Sequence, residues 1–336
     1  MKDNLITNRI LYLDYAKGIA IILMLFGHAY ASEGIINTWI FAFHMPVFFL
    51  ICGYLVHLKN PNGISFSSVT NYLKNRYDNL LKPYLFFGAI LTSYFCLLSF
   101  LSEREWNIMA LRKFITFQGV ESMWFLPVYF YAELLFLLCL RYLKLRVLSI
   151  LIIVIFTLFC CCESTFTVGY FKQIRLVLAG LVFIYAGYMY AKLKLCKRLG
   201  YILMIFLLIT FSVGSQVNGF ASMFDMGSSM LYFINALGLS LVLLTFCRYL
   251  EQHSFHFQKL LLYFGVNSII VLCTNNLLIE VIRLLDYKTL GIFSSNFIPS
   301  FFFFLIIFTL EIPIIKIFEG KFKHKQISSN VSKKNE

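Results

Sequence analysis

Charged side chains are scarce in this sequence. Asp, Glu, Lys and Arg make up 13% of its 336 residues, whereas hydrophobic residues make up 60% and include 38 Phe. A soluble globular domain has about 25% charged residues, so the composition excludes an ordinary soluble domain. We predict an all-α, polytopic membrane protein, whose length suits about ten spanning helices of roughly 20 residues each.

Patterns for binding metals and nucleotides are also missing. None of the nine Cys has zinc-ligand spacing with a His nearby, and eight of them lie in apolar runs. We interpret those Cys as small buried hydrophobes and expect no metal cofactor. Gly-rich nucleotide loops of the two standard types are absent as well, which argues against ATP-driven chemistry.

Positive charge is in excess, with a net charge of +13, but it is not gathered in one place. The Lys and Arg residues are scattered in short loops, a distribution that indicates membrane orientation rather than nucleic-acid binding. An N-terminus in the cytoplasm puts most of them on the cytoplasmic side. We therefore expect both termini to be cytoplasmic, in a multi-pass protein of the cell membrane.

The apolar runs set the boundaries of the expected spans. Residues 1–320 are expected to form one transmembrane domain, and residues 321–336 a basic, disordered cytoplasmic tail that can rest near anionic membrane lipid. The spans are expected at approximately 10–31, 35–57, 84–101, 123–140, 147–162, 174–190, 199–214, 228–247, 260–285 and 297–317.

The most informative stretch runs from Tyr12 to His28 and places Asp14, Lys17 and His28 in a largely apolar run. At about 100° per residue, the eleven steps from Lys17 to His28 come to about 1100°, which is about 20° from three whole turns. Both side chains are thus expected on one helix face, roughly 16 Å apart along the axis. Asp14 precedes Lys17 by three residues and is expected to pair with it.

A second apolar helix follows at once, and together the two helices carry a family signature. Lys17, ten intervening residues and His28 are followed by Phe-His-Met-Pro-x-Phe-Phe at 43–49 and by Gly53-Tyr54. This combination resembles the acyltransferase 3 family of integral membrane acyltransferases. It looks most like the branch related to fucose 4-O-acetylase.

The resemblance implies an enzyme that moves an acetyl or other short acyl group from acyl-CoA to a hydroxyl of a carbohydrate acceptor. Attack of a hydroxyl on a thioester needs a base, and neutral His suits that role near pH 7. His28 is therefore the candidate general base. Glu133, Glu280 and Asn276 are the candidates for orienting it. His44, beside Met-Pro, has both a catalytic and a purely structural interpretation.

The donor is expected to bind from the cytoplasm, where acyl-CoA is made. Acyl-CoA carries phosphates at one end of a long arm, and Lys17, held by Asp14, is a candidate contact for them. Arg76 and Lys82, in the loop after the second span, are further candidates. The roughly 16 Å from Lys17 to His28 is of the order of a pantetheine arm.

Three positions depart from the pattern that the resemblance implies. Asn79 stands where relatives commonly carry a second Arg, so Lys82 or Lys74 is expected to substitute for it, unless the loop has a weaker role here. Cys52 stands where Ser is frequent. Relatives often carry a His near 275–276, where this chain has two Asn, so an amide must supply the hydrogen bonding there.

Polar side chains within later spans are functional candidates, because such groups are costly at membrane depth. Glu133 lies in the middle of an expected span. Asn276, Glu280 and Arg283 fall on one stripe of another span and are expected to face the interior of the bundle. Glu311 is expected to have a structural or snorkelling role near the cytoplasmic end of its span.

The sequence also fits two other functional interpretations and one alternative interpretation of its N-terminus. A flippase or transporter of a lipid-linked sugar would also use ten spans with intramembrane carboxylates, and a catalytically inactive relative would retain most of the signature. Ala29-Tyr30-Ala31 imitates a signal-peptide cleavage site. The Asp residues ahead of it and the apolar helix directly after it favour a first span that is retained.

Overall fold

The computed structural model describes residues 9–30, 35–64, 66–102, 107–161, 170–193, 229–289 and 297–322. Within these ranges the regular structure is helical, without strands, as predicted. The helices are α1 (Leu11–Ala29), α2 (Ile35–Lys59), α3 (Phe66–Arg76), α4 (Lys82–Ser102), α5 (Asn107–Ile115), α6 (Phe125–Tyr142), α7 (Leu145–Cys161), α8 (Tyr170–Lys192), α9 (Ser229–Gln252), α10 (Gln258–Val266), α11 (Ser268–Thr289) and α12 (Phe297–Phe322).

Eight helical stretches of the described chain are long and apolar enough to cross a membrane. They are Leu11–Ala29, Ile36–Lys59, Ser68–Phe100, Glu121–Tyr142, Phe171–Lys192, Tyr232–Gln252, Ser268–Asp286 and Phe297–Lys321. The predicted span at 147–162 coincides with α7, whose apolar part is shorter. The predicted span at 199–214 and the predicted tail, apart from residues 321–322, lie outside the described residues.

Exposed apolar side chains follow one face of α7 and one face of α12. An exposed surface of this kind is unusual on a soluble protein but suits contact with lipid. On α7 the face is formed by Ile150, Ile153, Val154 and Leu158, and on α12 by Phe301, Phe302, Leu305 and Ile306.

Most of the connection between the second and third predicted spans is helical. A π-helical turn, Tyr77–Leu81, connects α3 directly to α4. Pro83 lies in the first turn of α4 and cannot donate a backbone hydrogen bond, which favours a local change of helix geometry just before it. Arg76, the last residue of α3, is thereby held at a fixed place.

The predicted span at 260–285 is divided in two, contrary to the sequence prediction. α10 ends at Val266 and α11 begins at Ser268, with the buried Asn267 between them. The Asn267 side-chain amide donates a hydrogen bond to the carbonyl of Tyr263, at 2.9 Å. Asn competes with the backbone for local carbonyls in this way, and the break lets the two halves pack against different neighbours.

α1 lies at the centre of the bundle and contacts α2, α9, α10, α11 and α12. Its contact with α10 is a backbone approach that only glycine permits. A Cβ on Gly18 would lie 2.1 Å from the Leu261 carbonyl oxygen, and one on Gly265 would lie 1.9 Å from the Asp14 carbonyl oxygen. Small residues at such contacts are a general means of packing helices in lipid.

α2 and α8 approach each other in the same manner. A Cβ on Gly53 would lie 1.8 Å from the Ile184 carbonyl oxygen, and one on Gly187 would lie 1.9 Å from that of Leu50. The glycine of the Gly53-Tyr54 pair is therefore required by helix packing. This contact fixes the position of α2 against α8.

Candidate active site

A cavity of about 250 Å³, which we call the basic cavity, opens between α1, α2, α6 and the α10–α11 break. Four charged side chains line it: Lys17, Lys59, Arg76 and Glu133. Three of them are cations, so the cavity is suited to an anionic ligand. Lys59, the last residue of α2, was not predicted, although its place at the end of a span was visible in the sequence.

Lys17 is held by the carboxylate that the sequence predicted. Its Nζ lies 2.5 Å from Asp14 Oδ1, and the other carboxylate oxygen of Asp14 lies 3.4 Å from Arg9 Nε. The predicted pairing of Asp14 with Lys17 is confirmed. Asp14 is not among the lining residues of the basic cavity, so it contributes by orienting Lys17.

Arg76 turns inward and forms an ion pair with Glu133 of α6. Glu133 is 2% exposed, and the Arg76 guanidinium also lies over the Tyr72 ring, 5.5 Å from its centroid. A carboxylate buried this deeply needs a cationic partner. Glu133 was one of the three candidates for orienting His28, but its carboxylate instead pairs with Arg76 and lines a different cavity from His28.

The two lysines expected to replace a second Arg lie elsewhere. Lys82 and Lys74 are both exposed and line neither cavity described in this subsection. Asn79 does line the basic cavity, with its amide donating to the Asn75 carbonyl at 2.7 Å. The π-helical turn directs residue 79 into the cavity and residue 82 away from it. Lys82 is therefore not a cation of this cavity, and the third cation there, besides Lys17 and Arg76, is Lys59.

A second cavity of about 520 Å³, which we call the histidine cavity, contains His28. It lies between the C-terminal end of α1, the start of α6, the start of α8 and the middle of α11. Its polar lining is mixed in charge and rich in amides: Lys113, Gln118, Glu121, Ser122, Lys172, Gln173, Asn276, Glu280 and Arg283. Trp124 adds an aromatic surface to this lining.

The polar stripe of α11 faces His28. Asn276, Glu280 and Arg283 all line the histidine cavity, as the spacing predicted. Arg283 donates a hydrogen bond to the His28 backbone carbonyl at 3.1 Å. Carbonyls in the last turn of a helix lack intrahelical partners, so Arg283 caps α1 and fixes the backbone that carries the imidazole.

His44 is close to His28 but lies outside both cavities. It is 2% exposed, and its Nδ1 is 2.9 Å from the Ile40 carbonyl oxygen, to which it donates. Phe41 lies against both imidazoles, with ring centroids 5.4 Å from His28 and 5.1 Å from His44. This placement favours the structural interpretation of His44, as support for Phe41 behind His28.

Sequence reasoning missed the loop that closes the histidine cavity. Glu121 has a positive φ of 47°, which is uncommon for any residue except glycine. A Cβ on the nearby Gly119, which has a φ of 81°, would lie 2.1 Å from the Cα of Trp124. Strained backbone of this type is enriched at functional sites, and here it presents Glu121 and Trp124 to the cavity.

Glu311 belongs to neither cavity. It is fully buried, and both of its carboxylate oxygens accept hydrogen bonds from Thr274 Oγ1, at 3.0 and 2.9 Å. This burial excludes the snorkelling role and leaves the structural one. Among the described residues, no group of three or more His, Cys, Asp and Glu could hold a metal ion.

A layer of side chains separates the two cavities along α1. Ile21 lines the basic cavity and His28 lines the histidine cavity, with the fully buried Met24 between them. Met24 therefore lies on α1 between the levels of the two cavities.

These features define a polytopic helical membrane protein with two polar cavities at different levels of α1. A family model described as an acyltransferase domain, that of the acyltransferase 3 family, matches residues 10–316. The chain belongs to this family, whose members are O-acyltransferases, so it is a membrane acyltransferase. No curated protein and no solved structure matches the chain.

Proposed function

We propose that this acyltransferase moves an acetyl or other short acyl group from cytoplasmic acyl-CoA to a hydroxyl of an exported or cell-surface sugar. One observation carries the proposal: α1 presents a cation, Lys17, to the basic cavity and an imidazole, His28, to the histidine cavity. A donor with a charged head and a reactive thioester end needs such an arrangement.

The basic cavity is the proposed donor site. Lys17, Lys59 and Arg76 are suited to the phosphates of acyl-CoA, because cationic donors bind phosphate oxygens by charge-assisted hydrogen bonds. The positive-inside rule puts this end of α1 in the cytoplasm of the cell, where acyl-CoA is present. The thioester then extends along α1 toward His28, over roughly 16 Å.

The histidine cavity is the proposed acceptor site, open to the opposite side of the cell membrane. Its carboxylates and amides, such as Glu280, Asn276 and Gln173, can exchange hydrogen bonds with several sugar hydroxyls at once. Trp124 offers an apolar surface for a sugar ring. A mixed polar lining with one aromatic side chain suits a carbohydrate better than an apolar acceptor.

His28 is the proposed general base. Its ring takes the proton of the acceptor hydroxyl as the oxygen attacks the thioester carbon. Glu280 lines the histidine cavity together with His28 and belongs to the polar stripe of α11. It therefore replaces Glu133 as the candidate carboxylate beside His28. The Arg283 cap on the α1 carbonyl keeps the ring in place while the proton moves.

The test is acyl transfer by purified protein in lipid nanodiscs. With radiolabelled acetyl-CoA and exported oligosaccharides of the source cell as acceptors, we expect label in the sugar fraction without ATP. Mass spectrometry should find the increment of one acetyl ester per modified sugar. Movement of a labelled lipid-linked sugar between leaflets, with no response to acyl-CoA, would support the flippase and overturn the proposal.

Orientation is tested separately with reporter fusions. Fusions at Asn62 and Leu145 should report the cytoplasm, and a fusion at Ser102 should report the exterior. A cytoplasmic signal at Ser102 would reverse the orientation and remove the argument for a cytoplasmic donor at Lys17.

A further inference from the structure

The layer between the two cavities contains an amide as well as Met24. On α11, Leu272 lines the basic cavity and Asn276 lines the histidine cavity. Asn275 lies between these two levels and is fully buried. Its Nδ2 is 3.7 Å from Met24 Sδ, so the two side chains meet between the levels of the two cavities on α1 and α11.

The hydrogen-bonding capacity of Asn275 is largely unused. Its Nδ2 has one oxygen partner, the Leu272 carbonyl at 3.3 Å, besides the thioether of Met24, which is a weak acceptor. Its Oδ1 accepts no hydrogen bond from the described residues. The Leu272 carbonyl is already satisfied by Ser122 Oγ, at 3.1 Å. Buried polar atoms without partners are rare and call for an explanation.

We propose that Asn275 is a further catalytic residue, which donates a hydrogen bond from Nδ2 to the carbonyl oxygen of the thioester. This inference rests on the proposed function. Met24 is the displaceable part of the layer, because its unbranched side chain adopts many conformations at little cost. When the acyl end of the donor displaces Met24, the carbonyl oxygen takes the place of the sulfur as the acceptor for Nδ2.

The geometry suits this role. Met24 precedes His28 by four residues, which is about 6 Å along the helix axis. A thioester in the place of the Met24 side chain would have its carbonyl oxygen next to Asn275 Nδ2, on the same face of α1 as His28. The Asn275 amide is fixed by burial before acyl-CoA binds, so this hydrogen-bond donor needs no reorganisation during the reaction.

The complete step balances. The acceptor oxygen attacks the thioester carbon while His28 takes the hydroxyl proton, and the carbonyl oxygen becomes an oxyanion that Asn275 stabilises. When the C–S bond breaks, its electron pair leaves on sulfur. The sulfur takes the proton from the His28 imidazolium and departs as the CoA thiol, and the new ester remains on the acceptor.

The test is the kinetics of Asn275→Leu, which keeps the volume of the side chain but removes the donor. Loss of one oxyanion donor typically lowers kcat by about 10²–10³, and we expect this effect with an unchanged affinity for acetyl-CoA. The matched control is Asn235→Leu. Asn235 is another buried amide with one unpartnered side-chain atom, Nδ2, but it lines neither cavity. The Asn235→Leu variant should retain the wild-type kcat.

A second pair of variants decides the question if Asn275→Leu does not fold. Asn275→Ser and Asn275→Ala have nearly the same volume and differ by one hydroxyl donor, so the Ser variant should be the faster. Wild-type kcat in Asn275→Leu, or equal rates in the Ser and Ala variants, would overturn the assignment of Asn275 alone. A wild-type protein that transfers no acyl group would overturn the proposed function and this inference together.

Discussion

Lys17 and His28 project from one face of α1, and each opens into a different cavity. The eleven residue steps from Lys17 to His28 correspond to roughly 16 Å of helix. On the proposed function, one helix connects the site for the charged head of the donor with the site for proton transfer. Changes at its two ends should therefore affect different kinetic constants.

Replacement of His28 should abolish chemistry and leave donor binding intact. Removal of a general base typically lowers the rate by about 10²–10⁴, so His28→Gln should lose kcat by that factor. Its Kd for acetyl-CoA, measured by calorimetry, should match that of wild type. The control is His253→Gln in the exposed segment after α9. Wild-type turnover by a correctly folded His28→Gln protein would exclude His28 as the base.

Replacement of Lys17 should weaken donor binding instead. Loss of a charge-assisted hydrogen bond costs about 1.5–3 kcal/mol, so Lys17→Ala should raise KM for acetyl-CoA with little change in kcat. Lys17→Arg should retain much of the affinity, because the positive charge is kept. Lys82→Ala serves as the matched control, since Lys82 is exposed and lies outside the basic cavity. An equal rise in KM in the Lys82 variant would show that surface charge, rather than the cavity, binds the donor.

The Arg76–Glu133 pair should show strong coupling in thermal unfolding. Removal of one partner of a buried ion pair costs on the order of 3–5 kcal/mol, because the other charge is left uncompensated. Arg76 is partly exposed, so Arg76→Met should destabilise the protein toward or below the lower end of that range.

The double variant Arg76→Met/Glu133→Leu should unfold at a higher temperature than Arg76→Met alone, because both charges are then removed. Additive losses in this double-mutant cycle would show that the two side chains do not depend on each other. All variants that lack Arg76 should have a raised KM for acetyl-CoA.

The contact between α1 and α10 should not tolerate a methyl group. In Gly265→Ala the new Cβ would meet the Asp14 carbonyl oxygen at 1.9 Å and push the helices apart. Overpacking of this kind costs about 1–3 kcal/mol or more, which should appear as a lower Tm in detergent. Gly320→Ala is the matched control, because nothing lies within 4 Å of its added Cβ. It should be neutral or slightly stabilising.

The periodicity of the helix was sufficient to predict contacts within one element. The Asp14–Lys17 pair and the common face of Asn276, Glu280 and Arg283 follow from helical spacing alone. The family resemblance was confirmed by the match over residues 10–316. Its narrower branch, related to fucose 4-O-acetylase, stays a prediction.

Spacing could not predict which helices become neighbours. Glu133 and Glu280 looked equivalent in the sequence, since each is a carboxylate inside an apolar span. Arg76 distinguishes them, because the π-helical turn after α3 holds its guanidinium against Glu133. The break at Asn267 was missed for a similar reason, as the run on both sides of it remains apolar.

The layer at Met24 has an electrical consequence. On the proposed mechanism, all the phosphates of CoA stay on one side of this layer. The neutral acyl end passes it in one direction, and the acceptor's proton returns as part of the neutral CoA thiol. Moving a single elementary charge through a membrane potential of 100 mV involves about 2.3 kcal/mol, and the acyl group avoids this entirely. We therefore expect an electrically silent transfer, which neither draws on the membrane voltage nor dissipates it and has the same rate in energised and de-energised vesicles.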